Sequence, residues 1–160
     1  MPSLVETMRK RTKRKHQWLL IDPLRHAMLG AAITESRVLD KLRIRELAAL
    51  DAMSKGMGTI VEWQELADMM NICEVMGSSG IGAEALPYCH QAQEALTEAA
   101  RRYEKTKRMG LSGIGLKALR EVYEYHDLQR SSVPRSVYEQ MIVKTKNRIK
   151  SKSKEVVEIK

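Results

Sequence analysis

Four short breaks rich in glycine, serine and proline divide residues 35–150, and every stretch between them repeats its apolar residues at helical spacing. The breaks fall at 56–59, 77–82, 110–112 and 131–134. Within 35–55, Leu39, Leu42, Ala49, Leu50 and Met53 share one face, and Gly56 and Gly58 stop the helix. Thr59-x-x-Glu62 is a capping box, in which a hydroxyl and a carboxylate satisfy amides that a helix start leaves free. The helix it opens carries Trp63, Leu66, Ala67, Met70 and Cys73 or Glu74 on one side. A third helix is expected over 84–108, with Pro87 in its first turn and Leu86, Ala92, Ala95, Leu96, Ala99 and Tyr103 as its apolar row. Ser112 caps a fourth over 113–130, with Leu116, Leu119, Val122 or Tyr123, and His126 at core spacing. Pro134 fits the first turn of a fifth over 134–150, with Val137, Tyr138, Met141, Ile142 and Ile149 inside. No stretch alternates as a strand does. The expected fold is all-α, about five helices in an antiparallel bundle.

Composition supports that fold. The chain has no Phe, two Trp, five Tyr and ten Met, so Met, Leu and Ala must fill the interior. Met53, Met57, Met69, Met70 and Met76 gather around the second helix and are read as core filling. Cys73 and Cys89 are too few for a disulfide framework and are expected as buried free thiols. No apolar run approaches the ~20 residues of a membrane span, and no signal-peptide core follows the basic N-terminus. The expected location is the cytoplasm.

Charge is divided unevenly. Residues 1–15 carry six bases and one acid, residues 144–160 seven bases and two acids, and residues 16–143 have 15 bases against 17 acids. The formal net charge of +8 therefore comes from the two ends, +5 each, around a body of −2. The organisation expected is a mobile basic arm at 1–17, one helical domain at 18–150 and a basic tail at 151–160. Such arms bind polyanions by displacing condensed counterions. The residues assigned to nucleic-acid contact are Arg9, Lys10, Arg11, Lys13, Arg14 and Lys15, with Lys144, Lys146, Arg148 and Lys150. Lys144, Arg148 and Lys152 are spaced to form a cationic row on the last helix. The cationic stretch 101–108 is read differently, as a complement to the negative end of a helix dipole.

Chemical motifs are sparse. Ser79-Gly80-Ile81-Gly82 and Ser112-Gly113-Ile114-Gly115 each open a helix and are read as stop-and-cap chemistry. The stretch 111–119 also resembles the second half of a helix-hairpin-helix element, which implies backbone amides holding a phosphate. Cys73, Cys89 and His90 lack the paired spacing of a zinc site. His90 with His126-Asp127 lacks the further ligand of a metal-dependent phosphohydrolase. Glu121, Glu124 and Asp127 are read as a solvated acidic face, and His126 as a core histidine. No nucleophile elbow, phosphate loop or dinucleotide fingerprint occurs. The expectation is a protein that is not an enzyme, with no metal and no cofactor.

The stretches Pro23-Leu24-Arg25-His26-Ala27-Met28-Leu29-Gly30, 45–51, 82–86 and Tyr123-Glu124-Tyr125-His126-Asp127-Leu128-Gln129 carry a further likeness. Across 23–142 the chain resembles small helical proteins of unknown function encoded in proteobacterial prophages and plasmids. That resemblance implies an accessory role on a mobile element and brings no site residues with it. The function expected is binding of DNA, RNA or a nucleoprotein assembly through the basic ends, with possible self-association. The alternative is a protein-interaction module that inhibits or adapts a host complex.

Overall fold

The computed structural model describes residues 36–151. Residues 23–32, where the sequence predicts a short turn or helix after the apolar patch Trp18–Ile21, lie outside them, as does the arm 1–17. Among the described residues the chain forms α1 (Ser36–Ser54), α2 (Ile60–Ser78), a single 3-10 turn (Ala83–Ala85), α3 (Leu86–Thr106), α4 (Gly113–Ser132) and α5 (Arg135–Ser151). The fold is an all-α bundle.

The helix boundaries follow local chemistry. Thr59 is extended, its hydroxyl accepts from Val61 N at 3.2 Å, and Glu62 reaches back to Thr59 N at 2.7 Å. The Thr59 hydroxyl and the two amides at this helix start hold the Glu62 carboxyl below its ordinary pKa. Ser112 Oγ accepts from Gly115 N at 3.1 Å and starts α4. The 3-10 turn hands over to α3, and Pro87 occupies the first turn, where no intrahelical amide bond is lost.

Helix α2 is the centre. It packs against α1, α3, α4 and α5, and its buried residues, from Trp63 through Met69 and Met76 to Gly77, extend well beyond one side, leaving Val61, Gln64 and Asp68 exposed. Periodicity alone finds one side of such a helix; packing by four neighbours widens it. The Trp63 indole N–H, deep in this core, donates to Leu96 O at 2.9 Å. Met53, Met69, Met70 and Met76 are buried as expected, Met109 is buried without having been expected there, and Met57 is exposed in the α1–α2 turn. Helix α5 packs chiefly on α2, through a smaller cluster of Met76, Val133 and Tyr138. Val137, Met141, Ile142 and Ile149, expected inside, are only half-buried; among the described elements α5 packs chiefly on α2.

Two turns meet at one end of the bundle. Gly58 N donates to Met109 O at 3.1 Å, and Leu111 N donates to Met53 O at 3.1 Å. Helices α3 and α4 form an antiparallel hairpin, with Tyr88 stacked on Tyr125 and Gly115 against Ala95. A Cβ on Gly115 would lie 2.7 Å from the Ala95 Cβ. Gly115→Ala is therefore expected to destabilise the fold by about 1–3 kcal/mol through overpacking, against its better helix propensity of roughly 1 kcal/mol. Urea unfolding measures it, and a midpoint raised to match the full propensity gain of roughly 1 kcal/mol would refute the close packing.

Candidate nucleic-acid interface

The structure describes four of the assigned cations, all on α5; Arg9, Lys10, Arg11, Lys13, Arg14 and Lys15 lie outside the described residues. Tyr138 anchors α5 by placing its hydroxyl 3.3 Å from His126 Nε2. Further along, Thr145 is buried and returns its hydroxyl to Met141 O. This rotation of the helix turns Lys144 and Arg148 toward α2. Arg148 Nη2 lies 3.0 Å from Glu74 Oε1, and Lys144 Nζ donates to Ser79 Oγ at 2.9 Å. Lys146 and Lys150 are exposed and make no ion pair among the described residues. The described part of the expected cationic row thus leans on the body, while the next two lysines face outward.

The two Gly-Ile-Gly turns do different jobs. In the first, Gly80 and Gly82 adopt φ of +88° and +67°, which glycine enters without a Cβ clash. Ile81 O accepts from Gln129 Nε2 at 2.8 Å, so this turn is tied to α4. In the second, Ser112 caps the helix, Gly115 packs on Ala95, and Ile114 is 84% exposed.

The residues considered for chemistry do not converge. Cys73 and Cys89 are buried free thiols. The neighbouring Cys89 thiol and burial hold the Cys73 thiol well above its ordinary pKa, and its Sγ donates to Val122 O at 4.0 Å, so it is not a thiolate nucleophile. His90 is exposed on the wall of a groove of about 400 Å³ between α3 and α5, floored by α2 residues Trp63, Ala67 and Asn71. His126 is on the far side of α2, fully buried, and desolvation lowers its pKa to about 3. It is a neutral core residue. Among the described residues no three His, Cys, Asp or Glu side chains come together to hold a metal ion.

Asp127 is not part of a solvated acidic face. Its Oδ1 receives Arg43 Nε at 2.8 Å and lies 3.4 Å from Arg130 Nη2, because α1 packs on that side of α4. Glu46 and Arg130 stand behind it as a buried ion pair, 2.6 Å apart. Sequence reasoning named neither, although both sit at core spacing, Glu46 between Leu39 and Met53 and Arg130 four residues after His126. None of the described helices is long and apolar enough to cross a membrane. No protein-family model, curated protein or solved structure matches the chain.

Proposed function

We propose that this chain is a non-enzymatic accessory protein of a bacterial mobile element, acting in the cytoplasm and binding nucleic acid, or an assembly containing it, through its basic ends. One observation carries the reading: +5 at each end of the chain against −2 for everything between. Charge held at the termini of a helical body does nothing for the core, and it resists burial. It suits a backbone of phosphates, where each neutralised phosphate releases counterions. Lys146 and Lys150 extend the C-terminal segment onto the exposed side of α5.

The test is fluorescence anisotropy with duplex and single-stranded DNA across a salt series. Affinity is expected to fall linearly on a log–log plot, with a slope of roughly −0.9 per phosphate contact on duplex. Deleting residues 1–15 is expected to weaken binding at ~0.1 M salt by at least about tenfold and to flatten the slope. Binding unchanged by that deletion would remove the N-terminal arm from the site, and no binding at low salt would remove the reading.

A protein-interaction module is the second reading, supported by the apolar Ile44 and Leu47 exposed on α1. It expects capture of a protein that survives nuclease treatment and is lost on Ile44→Asp.

A further inference from the structure

The body of the bundle carries its own concentrated positive charge. Arg101, Arg102, Lys105, Lys107 and Arg108 occupy the last turns of α3 and the residues just after it, with Glu104 the one acid in that stretch. All five are exposed, and none makes an ion pair among the described residues. A helix dipole does not account for them. Its C-terminal end amounts to roughly half a negative charge, and one or two cations answer it. Beyond that number, like charges three and four residues apart, such as Arg101 with Lys105 and Arg102 with Lys105, oppose the helix.

Neutral groups hold two of these cations without cancelling their charge. Arg102 Nη2 donates to Gly110 O at 3.0 Å. Lys107 Nζ sits 5.5 Å above the Tyr103 ring. The backbone at Lys107 points the same way. It is the helix C-cap with φ of +58°, a left-handed position that ordinarily takes glycine. It is also the one non-glycine residue with positive φ among those described. A lysine stands where glycine would be easier, and an aromatic ring fixes its ammonium. Strain kept at one exposed cationic turn marks a surface with a use.

From these observations we propose that the C-terminal turn of α3 is an ordered contact surface for the phosphate backbone of duplex nucleic acid. From Arg101 to the last helical residue, Thr106, the axis advances about 7.5 Å, a length over which a duplex presents about four phosphate charges. Three of the five cations are thus spread over helical turns and two follow at and just past the C-cap; three of the five are arginines, whose planar forks match phosphate oxygens. The antiparallel packing of α2 on α3 puts this turn at the end of the bundle where α2 begins, beside Gly58 and Met109. The choice of nucleic acid over another polyanion rests on the function proposed above; the existence of a polyanion surface does not.

The experiment compares full-length variants on duplex DNA across a salt series, each checked for helicity by circular dichroism. Arg101→Gln/Lys105→Gln/Arg108→Gln is expected to weaken binding at ~0.1 M salt by at least about tenfold and to flatten the log–log slope by up to about three. Arg101→Lys/Arg108→Lys keeps the charge and most of the slope. Lys107→Gly separates contact from folding: it raises the melting temperature by relieving the left-handed backbone, yet weakens binding. The surface is overturned if the triple-Gln variant keeps both affinity and slope while deletion of residues 1–15 abolishes binding. It stands, and the N-terminal arm falls, if those results are reversed. Wild-type protein that binds no duplex at low salt overturns both. Turn-dependent binding to phosphatidylserine vesicles or polyglutamate that exceeds binding to duplex at equal salt overturns the assignment of this surface to nucleic acid.

Discussion

Glu46→Ala is expected to destabilise the fold by about 3–5 kcal/mol, the range found when one partner of a buried ion pair is removed. The Arg130 side chain is 1% exposed and that of Glu46 is 4% exposed. Without Glu46, the guanidinium keeps Asp127 at 3.4 Å, a longer and less buried contact. The pair is not an efficient stabiliser even when intact. Glu46 Oε1 and Arg130 Nε have no aligned hydrogen-bond partner among the described residues, despite the 2.6 Å approach of the ions. Burial raises the Glu46 pKa above its ordinary value, and the attraction of Arg130 does not fully reverse it. Desolvation opposes the Arg130 charge as well, but there the Glu46 carboxylate prevails and the pKa is raised. The double variant Glu46→Leu/Arg130→Met should therefore recover most of the loss, since an apolar pair of similar volume is often neutral or better. The pH sign follows from the direction of the Glu46 shift. With a folded pKa above the unfolded one, its contribution is greatest below the unfolded pKa and declines as pH rises through the folded one. Urea unfolding of wild type, Glu46→Ala and the double variant decides it. A single variant within about 1 kcal/mol of wild type would mean that the pair is solvated.

The same pair shows how far a charge can mislead a reader of sequence. The starts of α2 and α4 and the turn before α5 were legible because Thr59, Glu62, Ser112 and Pro134 act on atoms within four residues. The all-α class was legible from periodicity. Glu46 was not, because a carboxylate is assigned to solvent by its type, although its spacing from Leu39 and Met53 is that of a core residue. Asp127 was placed on an acidic face for the same reason. Spacing is a local signal that survives charge, and it would have found Glu46, Arg130 and the buried Thr145. What it could not give is orientation between helices. Whether Lys144 and Arg148 face water or α2 depends on how Tyr138 docks beside His126, a contact made by different helices. The stretch 101–108 was legible as cationic. Its left-handed Lys107, the Tyr103 ring beneath it and its place at the bundle end depend on tertiary structure.

Gln129→Leu is expected to cost about 2–4 kcal/mol, by leaving several buried polar groups with too few partners at once. The Gln129 amide nitrogen donates to Ile81 O at 2.8 Å and Cys73 O at 3.3 Å. Two carbonyls on that side require the nitrogen there, so Oε1 faces His126 Nδ1 at 3.0 Å and accepts its proton. His126 Nε2 is then left to accept from the Tyr138 hydroxyl at 3.3 Å. One glutamine thus fixes the histidine tautomer, the first Gly-Ile-Gly turn and the docking of α5. Charging His126 would give Nε2 a proton with only a hydroxyl to meet it, in a site dominated by desolvation and facing Arg130. Its pKa is accordingly pushed down to about 3, from an ordinary 6.5. A depressed folded pKa means that the contribution is complete above about pH 6.5 and is lost as pH falls toward 3. The initial loss approaches about 1.4 kcal/mol per pH unit. Glu46 acts in the opposite sense, so the two must be separated by variants. In a Glu46→Gln background the wild-type His126 should leave stability falling from pH 6.5 to pH 5, and His126→Phe should remove most of that slope. Gln129→Glu should be worse than Gln129→Leu at neutral pH, because it aims a carboxylate at two carbonyl oxygens, and it should recover in part as acid protonates it. If Gln129→Glu is instead the more stable of the two at pH 7, the amide is not oriented by those carbonyls, and the tautomer derived from it is wrong.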